Sequence, residues 1–432
     1  MRDARALRKH ILRALGSYWP EPELLEQGLS LPELPLAPPD PGRAALAMVE
    51  LPAWASDLAA DGGLLIPSAC IAPGEGEPWS RADWLGAAFW HLHGVAERAF
   101  ERQNGSIFSY SVGLRGFDPR LWERAWVNRI ALFLRRLAAR ALAADEARLF
   151  GPRPAARILL THDLDAVRKT WPIRIKQPVF HVFNAARLGL SGRWRPGIGR
   201  LAKAAGFAFG SGRYDNLGWM AEREERLGMR SRIHVFAGLK RGLRLALMDP
   251  GYDPAESPLP GLLRDLRARG FEIGLHQSFG TWREARPMEE ERGRLEAVLD
   301  HPVSSCRQHW LRFSWAGTWR AQAAAGLRED ATLGFNDRPG FRCGAALRFN
   351  PWDEEHGRRM NLTALPMVLM DSHLYDYAGL DREQRRAAMA RVIREVRAVG
   401  GEASVLWHPH TLSPDYGWAE GFEELLSVLR EG

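Results

Sequence analysis

From residue 157 onward the chain alternates between two kinds of hydrophobic pattern. Short runs rich in branched and aromatic residues occur at Arg157–Asp165, Ser231–Ala237, Phe271–Ser278, Ser304–Trp310, Ala331–Asn336, Ala364–Asp371 and Ala403–His410. These runs read as strands, several of them buried on both faces. Most of the gaps between them hold apolar residues at helical spacing, over Leu259–Arg269, Met288–Leu299, Trp315–Ala325 and Arg382–Val399. Gly270, Gly326 and Gly400 stand where left-handed caps close such helices. Seven strands alternating with helices predict a parallel sheet, either open or closed into a barrel.

The first 150 residues are patterned differently. Pro32–Pro39 reads as extended connector, Gly62–Pro67 as a short strand, and Arg81–Arg102 as a helix with Leu85, Phe89, Leu92, Val95 and Phe100 on one stripe. Asp118-Pro119 opens another helix, along which Trp122, Trp126, Ile130, Leu134 and Leu137 recur as core positions. Gly151-Pro152-Arg153-Pro154 then punctuates the chain. The division this predicts is a smaller α/β or mostly helical domain at 1–150, of no assignable role, and a barrel at 151–432.

Where the strands end, the pattern turns polar. Arg157-Ile158-Leu159-Leu160 runs into Thr161-His162-Asp163-Leu164-Asp165, and alternation puts both aspartates on one face. His276, then Arg307 with His309, then Asp371 with His373, and His408 with His410 close four further strands, and Asn336-Asp337 adds a polar rim after the fifth. One such residue alone is most simply a satisfied rim or core group. Five strand ends converging on the C-terminal side of one sheet describe a site, because parallel α/β folds build their sites there.

Composition changes this picture little. The formal charge is +7, yet of 59 basic residues only five are lysines, and the arginines are spread evenly. With no basic stripe and no nucleic-acid motif, a nucleic-acid partner is not expected. Charge concentrates in one place, 168–212, where nine basic residues lie among Trp171, Phe180, Phe183 and Trp194 with no acidic residue before Asp215. This basic insertion reads either as a solvated excursion or as an arm meeting an anionic substrate portion or, through 168–203, a membrane surface. Three scattered cysteines make neither a disulfide framework nor a cysteine metal cage. The N-terminus has no apolar signal-like stretch, so a cytoplasmic location is expected. Oligomeric state is not legible.

Two carboxylates, several imidazoles and one arginine suit metal-assisted hydrolysis. One carboxylate binds a divalent metal, a second takes a proton from water, and an imidazole returns one to the leaving group. Neither a Gly-x-Ser-x-Gly elbow nor a nucleotide-binding glycine loop is present.

These residues resemble the polysaccharide deacetylase (NodB-homology) superfamily. Thr161-His162-Asp163-Leu164-Asp165 is similar to its first motif in the divergent T-H-D-x-D form, and Glu272–Ser278 to its second. Cys306-Arg307-Gln308-His309-Trp310 resembles the third, with His309 where proline is usual, and Val405–His408 the last. The resemblance spans about 155–432, and Trp84–Leu92 is similar to an N-terminal segment of some divergent members.

The resemblance implies a distorted (β/α) barrel of seven strands, zinc or another divalent metal, and removal of an acetyl group from an N-acetylated sugar. It makes Asp163 the base, Asp165 and His276 metal ligands, Arg307 the partner of the base, and His408 the acid, with Asp337 as the carboxylate supporting it. The second histidine of motif two is replaced by Gly280. His309 is taken as the third ligand, with His373 as the next candidate. His162, Trp310, His373 and His410 are expected as substrate contacts. The expected substrate is a nucleotide- or lipid-linked glycan precursor. The rival readings are a barrel that binds carbohydrate or acts as a scaffold without catalysis, and a C–N hydrolase acting on a non-sugar amide.

Overall fold

The computed structural model describes all residues except 1–3, 30, 35–44, 191, 193, 211, 239–247, 378–379 and 432. Most of the 32–39 connector therefore lies outside the described residues. So do Arg193 and the side chains of Lys176, Phe180, Arg187 and Arg195 from the basic insertion.

The N-terminal region opens with helix Ala4–Ala14 and carries an antiparallel ribbon of β1 (Leu46–Val49) and β2 (Leu64–Pro67). The helix expected over Arg81–Arg102 is two helices, Trp84–Leu92 and Val95–Asn104. The break is at Gly94, whose φ is +56° and where any Cβ would collide with the Trp315 indole. Only glycine combines that backbone with that contact. Asp118-Pro119 opens a 3-10 turn, and the aromatic stripe continues in helix Trp126–Ala141.

The second region is a distorted (β/α) barrel. Its strands are β3 (Arg157–Leu164), β4 (Arg232–Phe236), β5 (Glu272–Gln277), β6 (Ser305–Gln308) and β7 (Glu329–Asp330). After a small β8–β9 hairpin (Trp352–Asp353, Arg358–Arg359) come β10 (Thr363–Ala364), β11 (Met367–Met370) and β12 (Glu402–Leu406). The sheet order is β10-β7-β6-β5-β4-β3-β12-β11, every pair parallel.

The run expected as one strand at Ala364–Asp371 is split. β10 pairs with β7 at one edge and β11 pairs with β12 at the other. Leu365-Pro366 joins them, with Leu365 N–H donating to Asp330 (2.8 Å) and the Pro366 carbonyl accepting from Ser404 N–H (2.8 Å). One continuous segment thus spans both edges and draws the sheet closed, at the position where proline's missing N–H is harmless. The fifth strand also sits earlier than the pattern implied. Only Glu329–Asp330 pairs, and Ala331–Asn336 is loop, held from outside by Asn336 N–H to Ser109 O (2.7 Å).

Residues 1–150 share a core with the barrel. Trp84, Trp126 and Phe133 belong to the same hydrophobic cluster as Trp315, Trp319, Phe335 and Val405. Buried polar bonds cross the same boundary: Tyr18 donates to Val399 O (2.7 Å), Trp315 Nε1 to Glu97 (2.9 Å) and Arg342 Nε to Glu97 (3.0 Å).

Candidate active site

The polar strand ends meet in a cleft of about 180 Å³ at the C-terminal mouth of the barrel, lined among others by Asp163, Asp165, His276, His309, Asp371 and His408. Arg307 is the spine beneath it. Fully buried, it donates from Nε to Ala331 O (2.9 Å), from Nη1 to Thr161 Oγ1 (2.8 Å) and Asp163 Oδ1 (3.0 Å), and from Nη2 to Ser404 Oγ (3.3 Å). A buried guanidinium is tolerated only when so thoroughly engaged. It ties three strands, β6, β3 and β12, and the loop after β7 to the carboxylate it supports.

Asp163 faces His234, its register partner on β4, whose Nδ1–H donates to Oδ1 at 3.0 Å. Burial alone would raise the Asp163 pKa, but Arg307, His276 and His234 together hold it well below the carboxylate range. Burial, with the Arg307 cation nearby, pushes His234 down to about 3, so it is neutral. Room for its ring comes from Gly274, where a Cβ would lie 2.8 Å from His234 and 2.6 Å from Ser305 Oγ. His234 was not among the expected residues, although an imidazole inside the apolar run Ile233–Phe236 was its visible signal.

Asp165, His276 and His309 bring one donor atom each within 4.8 Å of one another. His276 donates Nδ1–H to Arg307 O (3.1 Å) and turns Nε2 to Asp165 Oδ1 (3.1 Å). His309 donates Nδ1–H to Asp249 Oδ1 (3.3 Å) and turns Nε2 toward Asp165 Oδ1 (3.7 Å). A second hydrogen bond that fixes each tautomer this way is how proteins aim imidazoles at a metal. Asp165 Oδ1 and His276 Nε2 are buried and make no hydrogen bond, the orphaned pair a divalent cation would satisfy. The donor set therefore fits such an ion. Burial raises the Asp165 pKa, but the three imidazoles around it overcome this and hold it low.

The strand carrying Arg307 ends at Gln308, so His309 is placed by a turn rather than by strand alternation. Trp310 and Leu311 are left-handed there, at φ +58° and +47°. Such strain in two non-glycine residues persists only where surroundings impose it. Asn336 Nδ2 bonds Trp310 O (2.8 Å), and Ser109 Oγ bonds Leu311 O. Trp310 projects at the cleft rim.

His408 lies across the cleft, its Nε2 3.6 Å from Asp165 Oδ2. Its Nδ1–H donates to Asp371 Oδ1 (2.9 Å), and its backbone N–H to Oδ2 (2.8 Å). Burial disfavours its cation, yet Asp371, Asp165 and Asp163 lift the pKa to about 10.

The carboxylate supporting His408 is thus Asp371, not Asp337. Asp337 is turned to the N-terminal region, accepting from Ser111 N–H (2.9 Å) and Oγ (2.8 Å). Two of the four expected substrate contacts do not reach the cleft. His162, adjacent to Asp163 and so on the opposite face of β3, meets Glu224 (2.6 Å) and Trp407 O (2.7 Å). His373 accepts from Met370 N–H (3.1 Å) and donates to Phe335 O (2.8 Å), which pins its turn. Trp310 and His410 do line the cleft, with Tyr416, Trp418 and Asp376, which sequence reasoning missed. Asp249 was missed too, since Asp249-Pro250-Gly251 looks like any turn.

No protein-family profile matches the chain, and no curated protein matches it. Among solved structures it is similar to one described as a polysaccharide deacetylase from Mycobacterium smegmatis, at 15% identity over 65% of this chain and 86% of that one, with a TM-score of 0.38. It is also similar to a polysaccharide deacetylase from Bacillus cereus, at 11% identity, 64% and 88% coverage and a TM-score of 0.29. A third is a mutant CE4-family pseudoenzyme with restored activity, at 10% identity, 64% and 62% coverage and a TM-score of 0.28.

Proposed function

We propose that the cleft is the active site of a metal-dependent amide hydrolase that removes an acetyl or similar acyl group from a sugar nitrogen. One observation carries the reading: the unpartnered Asp165 and His276 atoms converge with His309 between two buried supported pairs, Arg307–Asp163 and Asp371–His408. Asp165, His276 and His309 would hold the cation, and imidazole and carboxylate donors in a set of three favour zinc. When bound, it supplies Lewis acidity toward a carbonyl and lowers the pKa of a water.

The chain's own groups move the protons. Asp163 Oδ1 is engaged by Arg307 and His234, which leaves Oδ2 to take the proton of the attacking water. Water oxygen adds to the acyl carbon, the C–N bond breaks, and His408 Nε2–H protonates the departing amine. Asp371 keeps that ring in the tautomer and orientation the step needs. Trp310, Tyr416 and Trp418 line the cleft and suit the apolar face of a sugar ring. A nucleotide- or lipid-linked glycan precursor is the substrate we favour.

A barrel that binds glycan without cleaving it is the second reading, because Gly280 removes the donor that the family pattern places there. Elemental analysis of the purified protein separates the two. About one equivalent of metal, lost in Asp165→Ala, His276→Ala and His309→Ala, together with acetate release from N-acetylated sugar nucleotides, is expected. Absence of metal after reconstitution would leave the binding barrel.

A further inference from the structure

The basic insertion folds as two packed helices, Trp171–Leu190 and Trp194–Phe209. Both helices expose large apolar side chains. On the first helix the exposed ridge is Trp171, Ile175, Val179, Phe183 and Leu190, and on the second Trp194, Ile198, Leu201 and Phe209. Steps of four residues from Trp171 to Phe183, and of four and three from Trp194 to Leu201, form a stripe on each helix, with Leu190 and Phe209 at the helix ends. Trp171 is 77% exposed, Phe209 88% and Leu190, at the tip, 93%. Nine such side chains amount to on the order of 1,000 Å² of apolar surface, well above the largest patch on an ordinary monomer.

Among the described side chains, Lys169, Arg174 and Lys203 make their bonds within the hairpin or to the cleft wall. Lys169 pairs with Asp415 (2.9 Å) and bonds the Gly206 and Gly210 carbonyls (both 3.0 Å). Arg174 bonds Ala208 O (2.9 Å), and Lys203 bonds Tyr416 O (3.3 Å). Phe207 packs on Tyr416, ring centroids 4.8 Å apart, while Gln177 itself lines the cleft. The hairpin is therefore fastened to the cleft wall through Lys169, Lys203 and Phe207, and leaves its apolar stripes exposed.

We propose that this hairpin is a membrane-docking face, which inserts its two apolar stripes into an anionic bilayer surface and opens the cleft beside the lipid. Charge selects that occupant. Nine basic residues and no acidic one lie between 168 and 212. Anionic headgroups complement such a segment, whereas a second copy of the chain would set two like-charged segments against each other. No described helix is long and apolar enough to cross a membrane, so the hairpin lies in the interface rather than spanning it. The inference concerns this face and stands whether or not the cleft hydrolyses an amide.

Vesicle flotation of the full chain tests it, using phosphatidylcholine alone and phosphatidylcholine with phosphatidylglycerol. The protein is expected to float with the mixed vesicles, less at high salt, with a blue shift of tryptophan emission. Trp171→Glu with Phe183→Glu should weaken binding at least about tenfold without altering circular dichroism or melting. Trp194→Glu with Ile198→Asp, on the other helix, should do the same if the first pair disturbs folding. Failure of the wild type to float, or equal flotation of both folded double variants, overturns the proposal. So does a stable dimer by light scattering that these variants dissociate and that vesicles leave intact, since the face would then be covered by a second copy.

Discussion

At the scale of single residues, the site rests on which carboxylate each imidazole or guanidinium meets. Asp371 takes both Nδ1–H and backbone N–H of His408, so Asp371→Asn removes the charge that orients and charges the ring while leaving its volume. If the cleft runs acid–base chemistry, kcat/KM should fall about 100-fold or more with the fold intact. Asp337→Asn is the control. It weakens a tether to Ser111 and should cost about 1 kcal/mol of stability in urea titration, with kcat unchanged. Equal rate losses in both variants would contradict this assignment. His162 and His373 make the complementary point: each has both ring nitrogens engaged by neighbours and nothing left for a ligand.

At the scale of elements, the barrel strands deliver the groups and the surrounding helices and loops hold them at the working angle. Helix Ala285–Leu299 lies behind β5 and places Glu291 so that its carboxyl accepts Ser278 N–H at 3.1 Å, just past His276. Burial, with the Asp249 charge nearby, pushes its pKa up to about 7 from 4.5. A raised folded-state value means the native state favours the protonated acid. That contribution is complete below pH 4.5 and is lost as pH rises through about 7, a swing of ~3 kcal/mol. Glu291→Gln keeps an acceptor for Ser278 and should flatten stability between pH 5 and 8. Chemical denaturation at those two pH values reads it, and an unchanged slope would refute it. The turn at His309–Leu311 shows the same division of labour, with left-handed backbone held in place by Asn336 and Ser109 from neighbouring loops.

At the scale of the whole molecule, residues 1–150 are a structural wall of the barrel. Glu97 and Glu101 are buried against Trp315, Ser314 and Arg342, and removing them would leave a buried guanidinium and indole N–H unsatisfied. Losing the partners of such groups costs several kcal/mol, against a typical total of 5–15 kcal/mol. The fragment 151–432 is therefore expected to be insoluble or to lack cooperative unfolding by circular dichroism. A sharp thermal transition in that fragment would show a barrel that stands alone. Only the hairpin Trp171–Phe209 leaves the shared scaffold, and its apolar outer face is the one large surface the described chain does not itself cover.

Much of this was legible along the chain. The alternation of strands with helices, the cap glycines and the polar strand ends follow from local rules: a period of two in strands, of about 3.6 in helices, and a sheet that collects its C-terminal edges on one side; the seven strands expected became eight in the sheet. Those rules singled out Asp163, Asp165, His276, Arg307, His309 and His408, which the structure gathers in one cleft. Tertiary structure alone decided three further matters. It chose Asp371 over Asp337, because partnership depends on which way a loop turns after its strand, and spacing carries no record of that. It split Ala364–Asp371 between two sheet edges, since closure is a property of the whole barrel rather than of one segment. It also turned the basic insertion's apolar stripes outward. Helical periodicity reveals that a stripe exists, but only the surrounding packing decides whether the core or the solvent receives it.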